Sequence, residues 1–204
     1  MAESDSPLDP GAVGFALQEI YRLRDDELRE RFDRSLSFDD AMFDRWERAR
    51  RLGFGEETSI YNSSFVLGDV RVGEHTWIGP GTLLDGSGGG LEIGSWCSVS
   101  AGVHLYTHDT VLWSVSLGHL PRATGAVRIG DGTYLGAQSI VIAGVTIGSQ
   151  CVIGANSFVD GDVPDRAVVA GSPARPIGMV RGDGDEVEIV IGPDAVSGLA
   201  WVRP

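Results

Sequence analysis

Aliphatic residues recur every six positions through the middle of the chain, at Ile60, Val66, Val72, Ile78 and Leu84. After a Ser-Gly stretch from Ser87 to Gly90 the series resumes at Ile93, Val99 and Leu105, and it returns at Ile129, Leu135, Val141, Ile147, Ile153 and Val159. The step from Leu105 to Ile129 is itself a multiple of six, so the register is kept across the interruption. Glycine often follows the aliphatic residue directly, as in Ile78-Gly79, Ile129-Gly130 and Ile147-Gly148. Small residues (Ala101, Ala137, Ala143, Ala155) sit two places on, and a second aliphatic sits four on at Val70, Val103 and Val145. An isolated strand repeats every two residues and a helix every 3.6, so neither fits. One short strand plus one turn does. With the aliphatic side chain inward and glycine expected to let the backbone bend, three units close a triangular coil, and stacked coils bury one continuous column. The pattern therefore predicts an all-β repeat fold, a parallel β-helix over residues 56–178, with a loop at 106–128.

The segment ahead of the repeats, residues 1–55, reads as helical. Asp9-Pro10 offers an N-cap and a first-turn proline, and Leu17, Ile20, Tyr21, Leu28 and Phe32 follow at helical spacing. A second helix is expected from Ser37, with Asp39 and Asp40 in its first turn, an apolar face of Met42, Phe43 and Trp46, and a basic run from Arg48 to Arg51 before Gly53. That run either meets a phosphate or stabilises the helix C-terminus. The helices are expected to cap the first coil, whose open edge would otherwise invite aggregation. Residues 179–204 form a C-terminal extension, with Glu188 to Ile191 either an added strand or a loosely held tail.

Composition narrows the function classes. Glycine stands at 29 of 204 residues, about twice the usual ~7% and without a collagen period, which fits a chain of many turns. The formal net charge of -13 repels nucleic acid and anionic membrane surfaces, so neither is an expected partner. The first residues lack the basic and apolar regions of a secretory leader, and no apolar run approaches the ~20 residues of a membrane span. Cys97 and Cys151 form no metal or redox spacing. A cytoplasmic protein is the expectation.

Large loops on rigid scaffolds concentrate binding and catalysis, and the interruption from Tyr106 to Arg128 is the main one here. It holds His108, Asp109, Trp113, His119, Pro121 and Arg122: a proton acceptor, an aromatic surface and a cation. Trp113 either stacks on a sugar face or packs against a neighbouring subunit. Arg122 either meets a phosphate or carboxylate or is solvated. Asp109 either orients a ring nitrogen or holds a loop amide, since adjacent side chains of an extended chain point oppositely. His104, just before Leu105, faces outward, and His75 occupies a solvated turn.

The motifs VHLYTHD (Val103 to Asp109), IGDGTYLGAQSIVIAGVTIG (Ile129 to Gly148) and VIGANSFVDGDVPDRAVVAGSPARPIG (Val152 to Gly178) together resemble the hexapeptide-repeat O-acetyltransferases related to the galactoside, maltose and nodulation enzymes. The likeness is greatest to those of bacterial surface polysaccharide synthesis. The resemblance implies a left-handed coil, a homotrimer with active sites at subunit junctions, and acetyl-CoA as co-substrate with no metal. It implies His108 as the general base that takes a proton from a sugar-like hydroxyl, and backbone N–H groups for the oxyanion. Asp109, Trp113 and Arg122 would meet the acceptor, Ala137 and Ala155 the pantetheine arm, and Arg175 the coenzyme phosphates. The chain departs from the family where Asp160-Gly161 replaces a Lys-containing pair and where Gly178 replaces a basic residue. Competing readings are an N-acetyltransferase acting on an amino sugar, a gamma-class carbonic anhydrase with zinc-binding histidines, and a non-catalytic scaffold.

Overall fold

The computed structural model describes residues 9–197 and 199. The opening residues on which the expectation of no secretory leader rests lie outside this range. The chain divides into two compact units between Asp44 and Arg45, so the helical segment predicted over 1–55 is split. In the first unit, helix α1 (Pro10–Phe32) starts as predicted, with the Asp9 carboxylate accepting from the Gly11 and Ala12 amides, and stops at Asp33 in the left-handed region. Helix α2 (Phe38–Met42) follows Ser37 but stops at Phe43, whose backbone is extended, so the single second helix expected through Arg51 is two; Tyr21 ties α1 and α2 by donating to the Leu36 carbonyl at 2.7 Å.

In the second unit, helix α3 (Arg45–Arg51) closes the first coil. Ala49 is fully buried in one core cluster with Phe54 and Ile60. Arg48 donates to the Tyr61 carbonyl and, at 2.7 Å, to that of Ser64. One member of the basic run thus satisfies main-chain acceptors that the open end of a coil leaves without a partner strand.

The coil has three faces, each a ladder of short parallel strands. On the first, Ile60, Ile78, Val99, Leu135, Ile153 and Val169 stack in register. On the second the column is Val66, Leu84, Leu105, Val141 and Val159, and on the third Val72, Ile93, Ile129 and Ile147. Every aliphatic of the six-residue series is buried except Val66, which packs partly against the cluster. A second inward column lies two residues earlier in each unit. Its hydroxyls and thiols donate to turn carbonyls of the next coil: Thr58 to Gly73, Thr76 to Gly94, Cys97 to Gly130, Thr133 to Gly148 and Cys151 to Pro164. Both cysteines are buried. Burial pushes their thiols up, that of Cys151 to about 11, so neither is an accessible nucleophile.

One expectation is corrected. The glycine after each inward aliphatic is not where the chain bends. The left-handed residue stands three places before the aliphatic, at Glu57, His75, Trp96, Gln150 and Arg166 along one corner, with φ between 53° and 63°. The glycines are needed for close stacking. A Cβ on Gly136 would lie 2.5 Å from the Ala155 amide nitrogen, and one on Gly73 2.7 Å from that of Ser95.

The coil is interrupted twice at the corner joining the second and third faces. Residues 87–90 bulge outward within the long strand Leu83–Ile93. On the next coil the chain leaves after His104–Tyr106 and rejoins at Val127–Ile129. The interval from Leu105 to Ile129 is therefore an excursion and not a set of repeats. Within it His108–Asp109 pairs antiparallel with Ala123–Thr124, and α4 (Val111–Val115) fills the turn. At the far end Ala174–Arg181 pairs antiparallel with Ala167–Gly171, and Glu188–Ile191 adds a further strand. The segment from 179 through Ile191 thus extends the sheet.

Candidate active site

The two excursions lie one above the other, and Thr107 joins them. Its hydroxyl donates to the Asp85 carbonyl at 2.7 Å and accepts from the Gly88 amide at 2.8 Å. A Cβ on Gly88 would fall 2.1 Å from the Thr107 carbonyl oxygen, so the bulge must carry glycine there. Asp85 pairs with Tyr106 across the coils and occupies an outward position. It is nevertheless buried, its side chain only 2% exposed, next to the loop entrance.

His108 stands beside this carboxylate. Its Nδ1 lies 2.7 Å from Asp85 Oδ2 and 3.3 Å from Ser87 Oγ, and its side chain is 27% exposed. Asp85 Oδ1 accepts from the Ser87 amide at 3.0 Å. Burial alone would push the Asp85 carboxyl up. The Ser87 hydroxyl and amide, with the charge of the adjacent His108, outweigh it and hold the carboxyl below its ordinary value. A carboxylate at Nδ1 favours the tautomer protonated there and leaves Nε2 as the basic nitrogen.

A groove of about 530 Å³ opens here, lined by His108, Asp109, Thr110 and Val111 of the loop and by Tyr106, Ile142, Ala143 and Phe158 of the coil. Tyr106 is held from behind, its hydroxyl 3.2 Å from His104 Nδ1. A second cavity of about 200 Å³ shares Ile142 and Ala143 and runs on to Gly144, Asp160, Gly161 and Asp162. One apolar flank thus leads from the imidazole toward the later coils.

The residues singled out from sequence fall into two groups. His108 and Asp109 share the groove, and Asp109 Oδ1 accepts from the Val111 amide at 2.9 Å, the loop-amide alternative. Arg122 reaches the bulge, its Nη2 at 3.5 Å from the Ser87 carbonyl. Arg175 stands at the far end, 3.5 Å from Asp160. Trp113 lies in α4, half-exposed and outside the groove lining. Ala137 and Ala155 stack on a different corner, where the Ala137 carbonyl accepts from the Asn156 amide at 2.9 Å, and they do not line the groove either. His75 stacks on Trp96 with ring centroids 4.0 Å apart. Among the described residues no three His, Cys, Asp or Glu side chains cluster as a metal site would require. Sequence reasoning missed Asp85, Ser87, Thr107 and Tyr106. The available signal was the stretch from Ser87 to Gly90, which breaks the repeat one coil before His108.

The sequence profile of the family described as bacterial transferase hexapeptide (six repeats) matches residues 126–161, inside the stacked coils. Over those residues the chain carries the repeat of this hexapeptide transferase family. The hexapeptide-repeat coil is the left-handed parallel β-helix that the motifs implied. Serine acetyltransferase 2 of Arabidopsis thaliana is 38% identical over 106 residues, which is 51% of this chain and 31% of that enzyme. The chain thus spans about a third of that relative's length. Among solved structures, a hexapeptide-repeat acetyltransferase of Vibrio cholerae in complex with acetyl coenzyme A superposes with a TM-score of 0.58 and 25% identity, over 80% of this chain and 89% of that one. A single-residue mutant of AntD, an N-acyltransferase of Bacillus cereus, in complex with dTDP and coenzyme A gives a TM-score of 0.57 at 25% identity, over 62% and 72% of the two chains.

Proposed function

We propose that the protein is a coenzyme A-dependent acyltransferase, and that it moves an acetyl group to a hydroxyl of a sugar or similar small acceptor with His108 as general base. One observation carries this reading: an imidazole fixed by a buried carboxylate at the rim of an apolar groove. In the reaction the acceptor oxygen attacks the thioester carbonyl as His108 Nε2 takes its proton. Asp85 steadies the imidazolium that forms, and the tetrahedral adduct collapses with cleavage of the C–S bond. The proton then passes from the imidazolium to the leaving thiolate, so the histidine ends as it began. The likeness to an acetyltransferase that names serine supports a hydroxyl acceptor. The likeness to AntD, an N-acyltransferase, supports the alternative of an amine acceptor, as on an amino sugar, with the same base. Two free buried thiols suit a reducing cytoplasm.

The test is transfer from acetyl-CoA to a panel of sugars, amino sugars and small alcohols, read by product mass. Acetylated product is expected, formed ~10²–10⁴-fold more slowly by His108→Ala at an unchanged melting temperature. Wild-type turnover in that variant would remove His108 from the mechanism. Stoichiometric zinc held by the histidines, with no transfer, would replace the reading by that of an anhydrase.

A further inference from the structure

The far end of the groove holds a contact that the acyl-transfer step does not use. Asp160 lines the smaller cavity that continues the groove past Ile142 and Ala143. Its Oδ1 is buried and accepts no hydrogen bond. The cation paired with it is Arg175, with Nη1 at 3.5 Å, well beyond the ~2.7–2.9 Å of a charge-assisted hydrogen bond. The same Nη1 donates to the Ala174 carbonyl, and the Arg175 side chain remains 36% exposed. The neighbouring carboxylate is otherwise engaged, because Asp162 Oδ1 accepts from the Thr146 amide at 2.7 Å. The guanidinium at this end is therefore loosely held by a carboxylate that has no better partner.

We propose that Asp160 is a positioning residue that governs how available Arg175 is to a phosphate of the acyl donor, and so sets how tightly the donor binds; this rests on the reading of the groove as the donor's channel. In the free protein the ion pair holds the guanidinium toward the coil. An arriving phosphate must take the cation from Asp160, and the carboxylate left behind, a quarter exposed with its Oδ1 buried, loses its counter-ion. Both effects weaken binding relative to a chain with a neutral residue at this position. The chemistry recognised is a phosphate attached to a pantetheine arm, either in coenzyme A or in 4′-phosphopantetheine, which lacks the nucleotide.

Titration calorimetry of coenzyme A into four folded chains tests this: wild type, Asp160→Asn, Arg175→Ala and the double variant, with melting temperatures as the check on folding. Asp160→Asn is expected to tighten the Kd about 2- to 5-fold, in the range of a partly exposed ion pair, and Arg175→Ala to weaken it. On the Arg175→Ala background, Asp160→Asn is expected to change the Kd little. An Asp160→Asn chain that binds no more tightly than wild type would overturn the proposal. So would an equal gain on both backgrounds, because Asp160 would then act by direct repulsion and not through Arg175. With 4′-phosphopantetheine as titrant, a retained gain assigns Arg175 to the phosphate on the arm, and a gain seen only with coenzyme A assigns it to the nucleotide phosphates. Failure of the wild type to bind coenzyme A at all would remove the donor reading itself, an outcome distinct from binding that is indifferent to Asp160.

Discussion

A carboxylate buried beside an imidazole does two things: it fixes which ring nitrogen is basic, and it stabilises the cation that proton abstraction creates. Replacing Asp85 by Asn keeps the shape and removes both, so kcat is expected to fall by at least ~10²-fold, by the logic that makes the analogous change costly in serine-protease triads. Steady-state kinetics checks this, and a fall of less than about threefold would remove Asp85 from the mechanism. The same group links pH to stability. Its folded-state pKa is depressed, so its contribution is present above the unfolded value of ~3.9 and is lost as pH falls through the folded value. The melting deficit of Asp85→Asn is therefore expected in full at pH 7 and to shrink below about pH 4; a deficit constant down to pH 2 would contradict the depressed pKa. His108 was legible because the THD triplet stands at the entrance of the longest interruption. Asp85 was not, because its place in the hexad marks it as outward, and only the excursion beside it takes it out of water.

At the scale of the elements, the six-residue period alone located the strands and the inward column. What the period could not distinguish was a glycine that bends the chain from one that lets two coils touch, since both appear as Gly beside an aliphatic. Gly136→Ala tests the distinction. With a backbone nitrogen 2.5 Å from the new Cβ the substitution is expected to cost ~1–3 kcal/mol in denaturant unfolding, as overpacking does. A neutral result would return the glycine to the role first expected of it. The interruptions were visible too, but their stacking was not. Ser87 and His108 are far apart in sequence and meet because the chain makes one turn of the coil between them.

Over the whole molecule, the loop is where large apolar side chains stand exposed close together in sequence. Leu112, Trp113 and Val115 are at least half-exposed, and Leu117 is 90% exposed. Together with the family resemblance this supports a homotrimer, expected in light scattering at three times the 21.7 kDa of the chain. A mass of one chain at micromolar concentration would exclude it. Neither the hydrophobic period nor the charge bears on assembly, because both describe how one chain packs on itself.

Asp85 sits on one turn of the coil and His108, the proposed base, on the loop that leaves the next, so the spacing between turns also sets the distance between them. Warming that loosened the stack by a fraction of an ångström would draw the two groups apart while every ladder pairing was still made. Catalysis should therefore fade several degrees before the ladder unravels, which makes turnover a more sensitive thermometer of this architecture than its circular dichroism.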